Sequence, residues 1–346
     1  MTQKKEPTGK PAVIKEVNIG LLKDALLRLG QATRVTLARE TGISQPTVNF
    51  LIKELTQKNV VLNLGMADST GGRRAELYTI NLKQKHLVSV IVRKDALEYC
   101  VWDLELNRET EGIFAKTDDV SYTGLLMGLL EKIFAGTDGI ESVTVGVPGA
   151  VSDAGQIFAI PQIPEWEQFP LKEYLREQFD VNVTVVNDIN AVAMGYLQSE
   201  CKSACGDAAR RKELIYLHVT KGGMGAGIIV DGKLFGGHGS FAGEVGYMRV
   251  ADESIEERLL RGKDGERTEI LARVVTNLIC VLDPWKIVLG GGVTEKQAKE
   301  IRQKCQAYLP MREVPEFTVI ADGIEYYFLG LGSLGLDSLD RELKLS

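Results

Sequence analysis

The sequence lacks a hydrophobic run of the ~18 residues needed to span a bilayer, so we expect no membrane segment. Residues 1–11 carry lysines without a hydrophobic stretch behind them, which predicts a disordered tail rather than a signal peptide. Cysteine is scarce, and the five cysteines are odd in number and lie mostly in apolar runs, as is typical of reduced thiols. Cys201 and Cys205 have no second Cys or His pair nearby, which argues against a zinc site there. These absences predict a cytoplasmic protein, and 346 residues suffice for two or three domains.

Charge is distributed unevenly along the chain. Residues 1–80 contain 12 Lys and Arg against 7 Asp and Glu, whereas the rest of the chain contains 29 against 40. A basic segment joined to an acidic body is typical of a nucleic-acid-binding module attached to another domain. Solvated basic tails give the same pattern, so charge alone does not decide between the two interpretations.

Three helical patterns follow in residues 12–82. Apolar residues between 13 and 29 recur with a helical period, and Gly30 ends that pattern. Thr33 can cap a short second helix, and Ser44 is placed to cap a third. Two short helices around a tight Gly turn, braced by a longer first helix, predict a helix-turn-helix.

Two strand patterns come next, at 60–64 and 76–80, and the loop between them contains two arginines. A hairpin after the third helix makes this a winged helix-turn-helix, and arginines at the wing tip can enter a minor groove or bind phosphates. We expect DNA contacts from short hydrogen-bonding groups and cations on the third helix and the wing: Ser44, Gln45, Thr47, Asn49, Lys53, Arg73 and Arg74. The alternative is a small helical protein-interaction domain whose arginines are merely solvated.

In residues 83–346 strand and helix patterns alternate, which predicts an α/β architecture. Residues 220–250 are unusually rich in glycine, and Glu244 is flanked there by two glycines. Glycines at this density let the backbone approach a ligand, although plain turns share the feature.

Six short motifs occur in order after the predicted wing. They are Val145-Gly-Val-Pro-Gly-Ala-Val, Ile160-Pro-Gln-Ile-Pro-Glu-Trp, Val186-Asn-Asp-Ile-Asn-Ala, Gly225-Ala-Gly-Ile-Ile-Val-Asp-Gly, Phe241-Ala-Gly-Glu-Val-Gly-Tyr and Ile287-Val-Leu-Gly-Gly-Gly-Val. With the winged helix-turn-helix, they resemble the ROK family of bacterial sugar-responsive repressors and sugar kinases. The resemblance implies a two-lobed, actin-like (ribonuclease-H-like) α/β fold with a sugar in the cleft between lobes. It divides the body into lobe 1, residues 83–190 with 325–346, and lobe 2, residues 191–324.

The resemblance also implies which residues contact the sugar. Asn187 and Asp188 match the family's sugar-contacting pair, and Asp188 stands where the kinases keep their general base. Glu244 and Tyr247 match further ligand positions, and Gln162 stands where the family commonly has an Asn. From the residues alone, the pair at 187 and 188 is more readily interpreted as a turn and helix cap.

Three departures separate the chain from the family's kinases. In the phosphate loop Asp-x-Gly-x-Thr the acid is replaced by Ile91 and the glycine by Arg93, and phosphoryl transfer depends on that loop's placement of charge. The second phosphate loop, Gly-Thr-Gly in the kinases, begins with Lys221 and has no hydroxyl. The family's zinc-binding His is Tyr247, and residues 251–267 contain no cysteine, so we predict no metal and no cofactor.

We therefore predict a sugar-responsive DNA-binding regulator, a repressor of carbohydrate uptake or catabolism genes. It is expected to bind a sugar, an amino sugar or a sugar phosphate without phosphorylating it, and to act on operator DNA as a homodimer or homotetramer. Two alternatives stay open. One is an ATP-dependent sugar kinase with a DNA-binding head, and the other is a regulator controlled by a protein partner rather than by a sugar.

Overall fold

The structure is a computed structural model that describes residues 11–66, 75–81, 85–203, 213–221, 223–250 and 252–343. The chain divides into two compact units, a smaller one of residues 1–85 with 340–346 and a larger one of residues 86–339. This division does not separate the two lobes, so the boundaries given for them stay a prediction.

The smaller unit contains three helices and a small sheet: α1 (Pro11–Leu29), α2 (Arg34–Thr41), α3 (Gln45–Gln57), β1 (Ala32–Thr33), β2 (Val61–Met66) and β3 (Glu76–Ile80). The sheet is antiparallel in the order β1-β3-β2. Leu22, Leu37, Ile52 and Tyr78 are almost completely buried in one core shared by the helices and the sheet. This is the order of elements expected of a winged helix-turn-helix. Arg73 and Arg74 lie outside the described residues.

The ends of α2 and α3 show how the predicted caps are made. Thr33 caps α2, since its hydroxyl accepts a hydrogen bond from the backbone N–H of Thr36 at 3.1 Å. Gly42 follows α2 with a φ of 71°, a left-handed conformation that glycine adopts without strain. Ser44 occupies the cap position of α3, as predicted, but its hydroxyl does not accept the expected hydrogen bond from the helix backbone. It is hydrogen-bonded instead to the hydroxyl of Thr47 at 2.8 Å.

Five strands form the first sheet of the larger unit: β4 (His86–Val92), β5 (Ala96–Asp103), β6 (Arg108–Ala115), β7 (Ile140–Val147) and β10 (Asn182–Asn187). Their order is β10-β7-β4-β5-β6, with β4, β7 and β10 parallel and β5 antiparallel to its neighbours. The strand β4 is mostly apolar because its alternate residues enter two different cores: Val88 and Val90 in one, Leu87 and Ile91 in the other. This half also contains two helices, α4 (Tyr122–Gly136) and α5 (Leu171–Gln178), a short 3-10 helix (Pro164–Trp166), and the hairpin of β8 (Ala150–Val151) and β9 (Ile157–Phe158).

The second sheet repeats the same plan with β11 (Leu214–Val219), β12 (Met224–Val230), β13 (Lys233–Leu234), β16 (Lys286–Gly290) and β17 (Glu316–Val319). Its order is β13-β12-β11-β16-β17, with β11, β16 and β17 parallel and β12 antiparallel to its neighbours. The remaining elements are the pair β14 (Arg249–Val250) and β15 (Glu253–Ser254) and the helices α6 (Asp188–Ser203), α7 (Ile255–Arg261), α8 (Asp264–Leu282), α9 (Glu295–Tyr308) and α10 (Ile324–Leu343). Two sheets of identical strand order are the arrangement expected of an actin-like chain.

Helices α6 and α10 cross within the core that both sheets share. A methyl group on Gly195 of α6 would overlap the carbonyl oxygen of Tyr326, and one on Gly330 of α10 would overlap that of Ala191. The two helix backbones therefore approach as closely as glycine allows. Around them, residues of β4 and of β11, such as Ile91 and Tyr216, pack into one apolar cluster.

Candidate functional site

Asn187 and Asp188 lie at the junction where β10 ends and α6 begins. The Asn187 side-chain oxygen accepts hydrogen bonds from the backbone N–H groups of Ile189 (2.9 Å) and Asn190 (3.2 Å), and its amide donates to the carbonyl of Gly149 (3.0 Å). Asn187 is therefore a helix cap, as the residues alone suggested. These bonds also hold its neighbour Asp188 in place at the end of a buried strand.

Asp188 is a half-buried carboxylate with an unusual pKa. Burial raises the pKa of its carboxyl group from the usual 3.8 to about 6, against the opposing effects of the Ile189 N–H and the Arg93 guanidinium. The Ile189 N–H donates to Asp188 Oδ1 at 2.8 Å. At pH 7 most of the carboxyl groups are ionised, so Asp188 can accept hydrogen bonds from the hydroxyl groups of a ligand.

Two tyrosines on other elements, Tyr327 and Tyr216, interact electrostatically with Asp188. Tyr327 of α10 is buried, and its hydroxyl has no hydrogen-bond partner among the described residues. The charge of Asp188 adds to burial in raising the pKa of Tyr327 and of Tyr216. The Tyr216 hydroxyl is hydrogen-bonded to His218 Nδ1 at 2.8 Å, and burial lowers the pKa of that His, which keeps it neutral at pH 7. The environment of Asp188 is thus polar and poor in solvent.

Glu244 is held on a short segment that lies against β12. The N–H of Ala226 donates to the Gly243 carbonyl at 2.8 Å, and a side chain at Gly243 would overlap the Ala226 carbonyl. Gly243 has a φ of 99°, which favours glycine. This explains why a glycine precedes Glu244. Burial, and then the nearby charge of Glu256, raise the pKa of the Glu244 carboxyl.

Glu256 is a site residue that the sequence analysis missed. It lies in the first turn of α7, where its Oε1 accepts a weak 3.4 Å hydrogen bond from the N–H of Met224. Its carboxylate occupies the space that a side chain on Gly246 would need. The signal was present in the sequence, because a capping box formed by Ser254 and Glu257 marks the start of α7 and sets the direction of Glu256. Glu244 and Glu256 together place two carboxylates beside the glycine-rich strand β12.

Tyr247 is exposed to solvent rather than enclosed. Its ring is 59% exposed and lies 5.8 Å, between centroids, from the ring of Phe241, which is 57% exposed. In the same segment the Ser240 hydroxyl donates to Asp153 Oδ1 at 3.0 Å, which joins this part of the second half to the β8–β9 turn of the first. A ligand contact by Tyr247 stays a prediction.

Gln162 is exposed on the loop that follows β9. That loop is anchored by the buried side chains of Ile160 and Ile163, and Ile160 packs against Gly149, which also accepts the Asn187 amide. The loop carrying Gln162 is thus fixed to the segment that positions Asn187. A contact between Gln162 and a ligand stays a prediction.

The turn between β4 and β5 is the segment that the sequence aligns with the kinase phosphate loop and in which the loop's acid and glycine are replaced. Its Arg93 N–H donates to the Ala96 carbonyl at 2.9 Å, and its side chain is paired with Glu98 at 2.9 Å. The guanidinium carbon also lies 5.7 Å from the centroid of the Tyr327 ring. Arg93 therefore lies in a tight hairpin with its guanidinium directed toward Tyr327. The loss of a kinase phosphate loop at this turn stays a prediction.

Most of the predicted DNA-contacting residues on α3 lie on its solvent-exposed surface. Ser44, Gln45, Asn49 and Lys53 are exposed, whereas Thr47, predicted to be exposed, is half-buried and bonded to Ser44. Their contacts with DNA stay a prediction.

Neither a shared metal site nor a membrane-crossing helix is found in the described part of the chain. No three His, Cys, Asp or Glu side chains among the described residues are grouped to hold one metal ion. None of the described helices is long and apolar enough to cross a membrane.

These features define a two-lobed α/β body with a winged helix-turn-helix unit. Residues 89–258 match the model of the ROK family. The xylose repressor of Caldicellulosiruptor bescii is 28% identical over 250 residues, which cover 70% of this chain and 61% of that protein. The Escherichia coli regulator NagC is 26% identical over 265 residues, covering 74% and 63%. The chain thus spans about three fifths of the length of these relatives.

Solved structures share the fold. A ROK family transcriptional regulator, described as a homologue of the E. coli MLC protein, superposes with a TM-score of 0.63 at 14% identity, over 95% of this chain and 98% of that one. The ROK hexokinase of Thermus thermophilus superposes with a TM-score of 0.60 at 19% identity, over 74% of this chain and 99% of that one. The predicted fold, a winged helix-turn-helix followed by a two-lobed actin-like body, is thereby confirmed.

Proposed function

We propose that the chain is a sugar-responsive, DNA-binding transcriptional repressor of carbohydrate uptake or catabolism genes. The observation that carries this proposal is that one chain has both a cluster of carboxylates suited to a sugar and an arginine, Arg93, in the turn that would have to hold a nucleotide's phosphates. Asp188, Glu244 and Glu256 offer carboxylates to sugar hydroxyls, while Arg93 occupies the turn that a nucleotide's phosphates need open. The repressor names of the xylose and N-acetylglucosamine relatives point the same way.

The proposed mechanism uses the two halves of the larger unit as one bistable element. Sugar hydroxyls donate to Asp188 from the first half and to Glu244 from the second, so the ligand favours the arrangement in which both reach it. A ligand that binds one arrangement better shifts the population toward it. In a homodimer or homotetramer, that shift changes whether the DNA-binding units match two half-sites, and so changes DNA affinity. We place this protein in the cytoplasm, with operator DNA and a carbohydrate as its partners.

Thermal unfolding with a sugar panel tests the ligand half of the proposal. D-xylose, D-glucose, N-acetyl-D-glucosamine and their phosphates are each added in large excess without ATP. At 100 times Kd, a bound sugar stabilises the folded chain by ~2.7 kcal/mol, which raises the Tm by several degrees. We expect Asp188→Asn to abolish the shift in Tm. The control Asp119→Asn, which changes an exposed carboxylate 69 residues earlier in the sequence, should retain it. No shift with any sugar, alongside intact DNA binding, would favour control by a protein partner.

A sugar kinase is the second candidate, because a carboxyl group with a pKa of about 6 suits a general base. We propose that this chain is not an enzyme, since Arg93 and its partner Glu98 close the phosphate turn. ADP release measured with the same sugars and MgATP is expected to stay at the level of a blank. Turnover that disappears in Asp188→Asn would overturn this part of the proposal.

A further inference from the structure

The outward side of α3 carries an aromatic residue among polar ones. Val48, Leu51, Ile52 and Leu55 are buried on one side of the helix. With 3.6 residues per turn, the opposite side is formed by Pro46, Phe50, Lys53 and Gln57, all of which are exposed. Phe50 lies at the centre of that row, and 62% of it is exposed.

Phe50 is partly covered by a cation of its own unit. Lys15 of α1 places its Nζ over the Phe50 ring, 5.9 Å from the centroid, and the same Nζ forms an ion pair with Glu54 at 2.8 Å. The ring therefore lies beside a cation whose charge is already paired, while most of the residue is left in water. Leaving most of a phenyl ring in water forgoes a favourable burial free energy, which a partner could recover.

We propose that Phe50 reads sequence by packing against the C5-methyl group of a thymine in the major groove. The proposal rests on the proposed DNA-binding function of α3. The thymine methyl is the apolar feature of that groove, and phenylalanine is among the side chains that contact it.

The chemistry around Phe50 favours DNA over an apolar protein surface. Asn49 and Lys53 lie beside Phe50 on the exposed surface of α3, and Gln45 lies one turn before Asn49. All three side chains are exposed. An apolar protein surface covering Phe50 would bury these amides and this cation without partners, which is costly. Base edges and phosphates instead supply acceptors and donors for them. The exposed surface of α3 thus carries both hydrogen-bonding side chains and one apolar ring.

The test begins with duplexes selected by the full-length chain from a random pool. Each thymine of the selected duplex is then replaced singly by deoxyuridine, which removes only the methyl group. The wild-type chain is expected to lose affinity about fourfold at one thymine per half-site, the effect of burying one methyl group. Phe50→Ala is expected to bind the unmodified duplex more weakly and to be indifferent to that methyl group. Asn49→Ala, the matched control, should bind more weakly but keep the methyl sensitivity.

Each result separates this inference from the function on which it rests. If no duplex is selected, DNA binding itself fails. If a duplex is selected but no single methyl removal weakens wild-type binding, or if Phe50→Ala keeps the same sensitivity, only the role of Phe50 is refuted. A change in oligomeric mass in Phe50→Ala, measured by light scattering, with unchanged DNA affinity would assign Phe50 to a protein contact and overturn the inference. Because the ring is exposed, the Tm of Phe50→Ala is expected to match that of the wild type.

Discussion

The two five-stranded sheets of the larger unit have the same strand order but differ in the turn after their first strand. In the first sheet, that turn is closed by Arg93, which pairs with Glu98 and lies over Tyr327. In the second sheet, the corresponding turn runs from Thr220 to Gly223, where the Thr220 N–H donates to the Gly223 carbonyl at 2.9 Å. Equal topology therefore does not mean equal chemistry. The strands set the architecture, while the turns after the first strands differ in their side chains and hydrogen bonds.

The largest expected effect concerns the close contact between helices α6 and α10. Gly195→Ala places a methyl group against the Tyr326 carbonyl of α10, so the helices must separate. We expect a loss of about 2–3 kcal/mol in the free energy of unfolding, typical of overpacking against backbone. The measurement is denaturant unfolding followed by circular dichroism. Gly128→Ala in α4 is the matched control, since no atom lies near its added methyl, and it should be neutral or stabilising by up to about 1 kcal/mol. Equal effects of the two substitutions would mean that the halves are not joined as tightly as described.

The next effect concerns the titration of Asp188, at the junction of β10 and α6. Its pKa of about 6 in the folded chain lies above the usual 3.8, so the folded state binds this proton more tightly than the unfolded state. Stability is therefore lost as the pH rises from about 4 to 6, and the loss persists above pH 6. Asp188→Asn removes it and is expected to stabilise the chain by about 1–2 kcal/mol at pH 7.5, less than the full shift would give because the carboxyl group is only half-buried. Thermal unfolding across pH 4–8 measures this gain.

The pH dependence of that gain is the decisive part. The advantage of Asp188→Asn over the wild type should shrink below pH 6 and be nearly absent close to pH 4. A variant that is no more stable at pH 7.5, or whose advantage grows on acidification, would contradict the burial of this carboxyl group. Asp119→Asn serves again as the exposed control.

The smallest effect concerns the turn that distinguishes the sheets. Arg93→Gly removes a partly exposed ion pair and a contact with the Tyr327 ring, which together contribute about 1 kcal/mol. We expect a Tm lower by a few degrees and no sugar-dependent ADP release, since the loop's acid is also replaced by Ile91. Lys94→Gly in the same turn is the control and should change the Tm less. Gain of turnover in Arg93→Gly would show that this one side chain is what separates the cleft from a kinase site.

Much of the architecture could be predicted because it depends on periodic patterns. The helical periods and the Gly42 turn predicted the helix-turn-helix, and Thr33 caps α2 as expected. Ser44 takes the cap position of α3 as expected, but it makes no side-chain cap hydrogen bond, because its hydroxyl bonds to the Thr47 hydroxyl instead. The closeness of α6 and α10 at Gly195 was not foreseen, since glycine in a helix gives no indication of what lies opposite.

The site was predicted less completely. Asn187 and Asp188 lie at a strand end, as predicted, but the sequence could not reveal the burial that sets the Asp188 pKa. Glu256 has no sequence pattern that marks it as a neighbour of Glu244, because their nearness depends on how α7 packs against the segment before it. The exposure of the Phe50 ring is likewise not encoded in the pattern of α3, where an aromatic residue is more often part of the core.

The most direct test of the account is the Kd of the full-length chain for its selected duplex, measured with and without the stabilising sugar and in the absence of ATP. We expect a change of about fivefold or more, the size of a typical coupling between two sites, and its loss in Asp188→Asn. A sugar that raises the Tm but leaves the Kd for DNA unchanged would contradict it.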